Sequence, residues 1–209
     1  MTNEGQLPMM NNMLNSAQKA GWDMSLFHCY LTKSNKMPAS YASQQFQSLT
    51  LRKLKLILHN VRMSPEVLWV DNDIVFFENS LDNIRSYSGD FVMQDDLWGY
   101  CTGFFLIRQS PASIAVLERA IRYLEKARNP AVNDQHAFNA DTSGAVITKL
   151  PQDEYPNGQV YFNERRTDRA TMVHCNYLTT TAEKVVRLQS VGLWDESETG
   201  SRAVHRYVI

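Results

Sequence analysis

The 209-residue chain balances 21 Lys and Arg against 22 Asp and Glu and has no basic cluster interleaved with aromatics, which argues against a nucleic-acid surface. Hydrophobic residues make up 44% of it, ample for the core of one α/β domain or two small ones and too much for a disordered chain. No apolar run approaches the roughly 18 residues of a bilayer span, and the start MTNEGQLPMMNN lacks a signal pattern, so the sequence reads as cytoplasmic. Cys29, Cys101 and Cys175 are far apart and show no C-x-x-C spacing, so they read as buried thiols of a reducing compartment, not a disulfide or zinc framework.

From Pro8 to Gly21, Met9, Met10, Met13, Leu14 and Ala17 recur at helical spacing, with Gly21 as the stop. Met24 to Leu31 is predicted as a mostly apolar strand, and a polar loop with Pro38 leads to a helix from about Ser48 to Asn60. Leu49, Leu51, Leu54, Leu56, Ile57 and Leu58 form its core stripe, while Arg52, Lys53 and Lys55 read as its solvated face. A strand, Val67-Leu68-Trp69-Val70, then runs into Asp71-Asn72-Asp73 and continues as Ile74-Val75-Phe76-Phe77.

Beyond it the pattern predicts a short helix over Ser80–Tyr87 and a strand Phe91–Gln94 that leads into Asp95-Asp96. A Trp98–Gly103 loop follows, whose glycines allow close backbone approach to a ligand, and then a strand Phe104–Ile107. Pro111 opens a helix through about Ala127, with Ile114, Leu117, Ala120, Ile121 and Leu124 buried. Asn133-Asp134-Gln135-His136-Ala137-Phe138 begins another, where Asn or Asp reads equally as an N-cap. Val146–Leu150 is a short strand, Pro156-Asn157-Gly158 a turn before Val160-Tyr161-Phe162, and Met172-Val173-His174 a late strand. Residues 1–194 read as one domain; 195–209 are a tail, either a last strand or a linker.

The two aspartates set the functional question. An unpaired carboxylate inside VLWV and IVFF would cost several kcal/mol if buried, so something must compensate it. In a strand, residues i and i+2 point to the same side, so Asp71 and Asp73 converge on one point, where a hard divalent cation would satisfy both. Alternating strands and helices indicate an open α/β sheet with helices on both faces, which binds ligands at the carboxyl ends of its strands. Asp71, Asp73, Asp95, Thr102, Gly103 and His174 all sit at such ends and are expected to line one crevice. A lone histidine after an apolar strand is ordinarily structural, and spacing alone does not make His174 a ligand.

LWVDNDIVFF, MQDDLWGYCTGFFLIR, NDQHAFN, PNGQVYF and HCNYL with a later lysine and GLW occur in the order seen in the nucleotide-diphospho-sugar transferases. The chain resembles that family of retaining GT-A glycosyltransferases, with glycosyltransferase family 77 as the nearest group and glycosyltransferase domains of large algal viruses as a further likeness; a viral member would work in the host cytoplasm. The resemblance implies a Rossmann-like, mixed and mostly parallel sheet with helices on both faces. It implies transfer from a UDP-sugar to a glycan or glycoprotein, with Mn2+ or Mg2+ bound by Asp71, Asp73 and His174. Asn3, Lys53, Asp71, Asn72, Asp95, Thr102, Gly103 and Lys184 match donor-binding positions, and Asp134 and Gln135 match positions at the donor sugar and beneath its anomeric carbon.

Two departures stand out. Thr180 replaces the glycine usual between the metal histidine and the later lysine, and where the family has an apolar first strand before the segment Asn3–Gly5, only Met1 precedes Thr2. No carboxylate is an obvious nucleophile, which leaves front-face attack, with the leaving phosphate taking the acceptor proton, open beside a covalent intermediate. A HAD-type phosphatase or phosphotransferase also places D-x-D after an apolar strand, although it would want Thr or Gly soon after the second aspartate, where this chain has Ile74-Val75. The remaining alternative is a sugar-nucleotide-binding domain without turnover.

Overall fold

A computed structural model describes residues 2–32, 41–164, 168–195, 197 and 204–208. In chain order these form β1 (Thr2–Asn3), α1 (Leu7–Lys19), β2 (His28–Thr32), α2 (Gln44–Met63), β3 (Glu66–Val70), β4 (Ile74–Phe76), α3 (Leu81–Ser86), β5 (Phe91–Asp95) and β6 (Tyr100–Arg108). They continue as α4 (Pro111–Lys126), α5 (Asp134–Ala140), β7 (Ile147–Leu150), α6 (Gly158–Glu164), β8 (Met172–His174), α7 (Thr181–Ser190) and β9 (His205–Val208). The chain separates into two compact units, one of Met1–Pro38, Asp71–Ser80 and Gln152–Ile209, the other of Ala39–Val70 and Leu81–Pro151. No helix among the described residues is long and apolar enough to cross a membrane.

In the first unit, β1, β2 and β9 form a parallel sheet in that order, and β4 pairs antiparallel with β8. Pro8 in the first turn of α1 fits because no helical hydrogen bond needs its missing N–H. The helix stops where Gly21, at φ +81°, lets the Trp22 and Gly21 amides reach back to the Ala17 and Gln18 carbonyls. Met9, Val75, Val173, Cys175 and Leu188 join in one buried cluster. The segment after Trp194 is tied to α1: the Asn15 amide donates to the Asp195 and Ser197 carbonyls at 2.9 and 2.8 Å. The Lys19 ammonium, together with Ser197, holds the Asp195 carboxyl down to about 2. Of the two readings of the tail, the strand holds for β9, which stacks His205 and Tyr207 beside His28 and Tyr30.

In the second unit the strand order is β3-β6-β5-β7, antiparallel except for the parallel pair β5 and β7. Phe91, Phe104, Phe105 and Phe138 are fully buried, with Phe138 edge-on to Phe91 at 5.1 Å, a favoured aromatic geometry. Of the predicted stripes, Leu54, Ile57 and Leu58 of α2 and Leu117, Ala120, Ile121 and Leu124 of α4 are buried, whereas Leu49, Leu51, Leu56 and Ile114 are only half-buried and Val61 and Val116 complete the faces.

Several boundaries differ from the sequence reading, each for a local reason. The strand expected from Met24 begins at His28, because the Asp23 carboxylate accepts from the Ser25 amide and hydroxyl and winds Met24–Leu26 into a 3-10 turn. Helix α2 starts before Ser48 because the Ser43 hydroxyl accepts from the Phe46 amide and caps it. Tyr100 to Gly103, expected in a loop, belong to β6. Asp95 pairs with Tyr100 while Met93 pairs with Phe105, so β6 carries extra residues in a bulge and still buries Cys101, Thr102 and Phe104. Strand β3, expected to be buried on both faces, buries only Trp69 fully, since among the described residues it is the outer strand of its sheet. Val160 to Phe162 lie on α6. The Pro38 loop lies outside the described residues.

Candidate active site

The Asp71–Asp73 segment is a turn joining β3 to β4, not a strand, so alternation along a strand is not what brings the carboxylates together. The turn itself sets Asp71 beside Asp73, and backbone pairing adds His174. Ile74 stands opposite His174 in the β4–β8 ladder, and the Cys175 amide donates to the Asp73 carbonyl at 2.8 Å. His174 is thereby held beside Asp73, with its Nε2 3.2 Å from Asp73 Oδ1. One ligand atom each from Asp71, Asp73 and His174 lies within 4.8 Å of the others, a spacing that suits a single ion, whose opposite ligands stand about 4 to 5 Å apart.

Asp73 and His174 are buried, yet the Asp73 carboxyl is charged. Burial pushes it up, but the Lys184 ammonium, donating to Oδ2 at 2.6 Å, and the His174 ring hold it well below the usual carboxylate range. Lys184 is displaced the other way: burial lowers it, and the Asp73 charge more than reverses this. The neighbouring Cys175 thiol is pushed up to about 12 by burial and then by the Asp73 charge, so it is a packed, inert thiol. Cys29, Cys101 and Cys175 are buried, and none of them is in a disulfide. Lys184 reaches this position from the second turn of α7. There the Thr180 hydroxyl accepts from the Glu183 amide, and the Glu183 carboxylate in return accepts from the Thr180 amide. Thr180, the departure from the expected glycine, is a helix cap.

Two further residues shape this cluster. The Asn72 amide donates to the Thr2 hydroxyl at 3.1 Å and anchors the turn to β1, where Asn3 is buried. Gly158 packs so closely against the strand end that a Cβ there would lie 2.6 Å from the Asn176 carbonyl and 3.0 Å from that of His174. The sequence reading took Gly158 as a turn glycine; only its place in the ordered motif PNGQVYF hinted at more.

The second unit holds another charged group. Lys53, expected on a solvated face, is 7% exposed; its ammonium lies 2.9 Å from Asp134 Oδ2 and 5.6 Å from the centre of the Trp69 ring. The same Asp134 oxygen accepts from the Thr102 hydroxyl at 2.8 Å. Asn133 is the N-cap of α5, accepting from the His136 amide, which places Asp134 and Gln135 in its first turn. Gln135 is held at both ends: Nε2 donates to Asp96 Oδ2 at 2.6 Å, and Oε1 accepts from the Thr102 amide at 3.4 Å. Asp95 accepts from Lys149 at 2.8 Å and from the Leu97 amide at 3.1 Å. Gly99, read as a glycine for ligand approach, instead makes room for Asn139, whose Oδ1 a Cβ would meet at 2.7 Å. The predicted residues thus fall into two groups: Asn3, Asp71, Asn72, Asp73, His174 and Lys184 in the first unit, and Lys53, Asp95, Thr102, Gly103, Asp134 and Gln135 in the second.

Comparison with known proteins gives one consistent result. The model of the nucleotide-diphospho-sugar transferase family matches residues 9–188. A UDP-galactose:fucoside alpha-3-galactosyltransferase of Dictyostelium discoideum is 26% identical over 81% of this chain and 32% of its own length. A UDP-D-xylose:L-fucose alpha-1,3-D-xylosyltransferase of Arabidopsis thaliana is 24% identical over 74% and 49%. The chain thus spans 32% and 49% of the lengths of these curated relatives. A glycosyltransferase involved in glycosylation of the major capsid of PBCV-1 superposes with a TM-score of 0.59 at 14% identity, covering 90% of this chain and 97% of that one.

Proposed function

Because the chain belongs to the nucleotide-diphospho-sugar transferase family, we propose that it is a metal-dependent glycosyltransferase that moves a sugar from a UDP-sugar to a glycan or glycoprotein acceptor with retention. The observation that carries this reading is the convergence of Asp71, Asp73 and His174 on one point. Their two carboxylates and one imidazole suit a divalent ion such as Mn2+ or Mg2+. When bound, such an ion offsets the charge that develops on a departing UDP.

The chain's own residues supply the rest. Lys184, held on Asp73 at 2.6 Å, carries an ammonium into the cluster and is the group we assign to the donor phosphates. Asp134 is engaged by Lys53 and Thr102, so it positions the start of α5. Gln135, clamped between Asp96 and the Thr102 amide, presents a neutral amide, which serves orientation better than nucleophilic attack. We therefore favour front-face transfer: the acceptor oxygen bonds to the anomeric carbon, the bond from that carbon to the diphosphate breaks, and a diphosphate oxygen takes the acceptor proton. Asn3, Asn72, Asp95 and Gly103 are assigned to donor binding on the resemblance. Both relatives' names give UDP as the nucleotide, fucose as the acceptor and an alpha-1,3 linkage. An alpha product from an alpha-linked UDP-sugar is retention, and we propose a fucoside acceptor here too. The phosphatase reading finds no support in these comparisons.

The test is isothermal titration with UDP, with and without Mn2+, on the wild type and Asp73→Ala. Metal-dependent binding in the wild type and none in the variant, with an unchanged circular dichroism spectrum, is the expected result. Equal UDP affinity in the two proteins contradicts the site.

A further inference from the structure

Trp98 is 93% exposed, more than any other large hydrophobic residue among those described. Solitary exposed apolar side chains are common and need no function; what sets this one apart is the care with which its backbone is held. It stands at the tip of the hairpin between β5 and β6, where the Leu97 amide donates to Asp95 Oδ1 at 3.1 Å and the Asp96 amide to the Gly99 carbonyl at 3.2 Å. Leu97 itself has φ +63°, a conformation that L residues rarely adopt. Asn139 locks the base of the tip, accepting from the Tyr100 amide and donating to its carbonyl at 2.9 and 2.8 Å.

The tip is also joined to the group assigned above to the donor sugar. Asp96, two residues before Trp98, accepts from Gln135 at 2.6 Å, so the two Cα atoms of the tip are no more than about 7 Å apart. Leu97 adds apolar surface, at 40% exposure, and the rim carries carboxylate and ammonium: Asp95, Asp96 and Lys149. Two apolar residues fall far short of a protein interface, which takes about 800 Å² from each partner. They match the C–H face of a single pyranose ring whose hydroxyls meet a polar rim.

We propose that Trp98 is the platform on which the deoxy-sugar ring of the acceptor stacks, a specificity residue for the acceptor. The inference rests on the transferase reading above. The fucose ring, with its C–H face and C6 methyl group, offers apolar surface that can lie flat on an indole.

The experiment measures transfer from UDP-galactose and UDP-xylose to methyl α-L-fucoside, alongside UDP titration in Mn2+, for the wild type, Trp98→Ala and Trp98→Phe. The expected result is a rise of about tenfold in the fucoside KM for Trp98→Ala, recovery to within about threefold for Trp98→Phe, and UDP affinity within about twofold throughout. An unchanged fucoside KM in Trp98→Ala overturns the proposal. So does a wild type that binds UDP but transfers nothing to the fucoside, and that outcome leaves the transferase reading standing. A wild type that binds no UDP removes both.

Discussion

The two charged groups of the molecule are built on opposite principles. In the first unit, two carboxylates, Asp71 and Asp73, share a turn with one lysine and one histidine near them. In the second, the Asp134 carboxylate meets the buried Lys53 ammonium, with the Thr102 hydroxyl on the same oxygen. The second group is a buried ion pair wired into secondary structure at α2, α5 and β6. The first gathers two carboxylates and a histidine where strands end, an arrangement that could hold a cation. A buried ion pair stabilises a fold, whereas two carboxylates gathered at one turn suit an added cation.

The sharpest way to break this contrast is to open the buried pair. Lys53→Met leaves Asp134 buried without its cation, and loss of one partner of such a pair costs about 3–5 kcal/mol. Urea unfolding should show that loss, while the double variant Lys53→Met with Asp134→Leu recovers most of it. A Lys53→Met protein as stable as the wild type would mean the pair is not buried in solution.

Acid does to the first group what mutation does to the second. The folded-state Asp73 carboxyl lies below its ordinary value, so the stability it contributes is complete above about pH 4, the unfolded value. That stability drains away as the pH falls through the lower, folded value. Asp141, Glu183 and Asp195 are depressed as well, so the informative measurement is a difference. The gap in unfolding free energy between wild type and Asp73→Asn should narrow as the pH falls below 4; a gap constant with pH would show that Lys184 does not hold the carboxylate.

Between these two tests lies the question of how much the sequence disclosed. Strand and helix order was legible because periodicity reports burial, and the ordered motifs placed His174 beside Asp73 although spacing could not. What stayed hidden was tertiary. Lys53 looked like its solvated neighbours Arg52 and Lys55, because nothing local announces that Asp134, 81 positions later, is its partner. Asp71 and Asp73 do converge, but on a turn and not by strand alternation, and the β4–β8 pairing that brings His174 to them was not legible in spacing. Gly158 looked like any turn glycine because the carbonyls it spares belong to residues 174 and 176.

That glycine gives the next test. In Gly158→Ala the new Cβ meets backbone oxygens at 2.6 and 3.0 Å, and backbone cannot yield as a flexible side chain does. The cost should be about 1–3 kcal/mol, accompanied by weaker Mn2+ binding, because the strand end that must move carries His174. A stability loss with unchanged Mn2+ affinity would separate the packing at Gly158 from the ion site.

The smallest effect tests whether the departure at Thr180 is tuned to the lysine. Its hydroxyl accepts from the Glu183 amide at 3.2 Å, and its carbonyl accepts the Lys184 amide at 3.2 Å, so the cap fixes the turn from which Lys184 reaches Asp73. Removing such a cap costs about 1 kcal/mol when Ala replaces it and only a few tenths when Gly does. Thr180→Ala should therefore lower the thermal midpoint by a few degrees, and Thr180→Gly by less. Fraying the start of α7 also loosens Lys184, so Thr180→Ala should weaken UDP binding more than Thr180→Gly. If Thr180→Gly instead tightens UDP binding, the loop retains the phosphate contact associated with a glycine there, and the threonine has traded that contact for a firmer helix start.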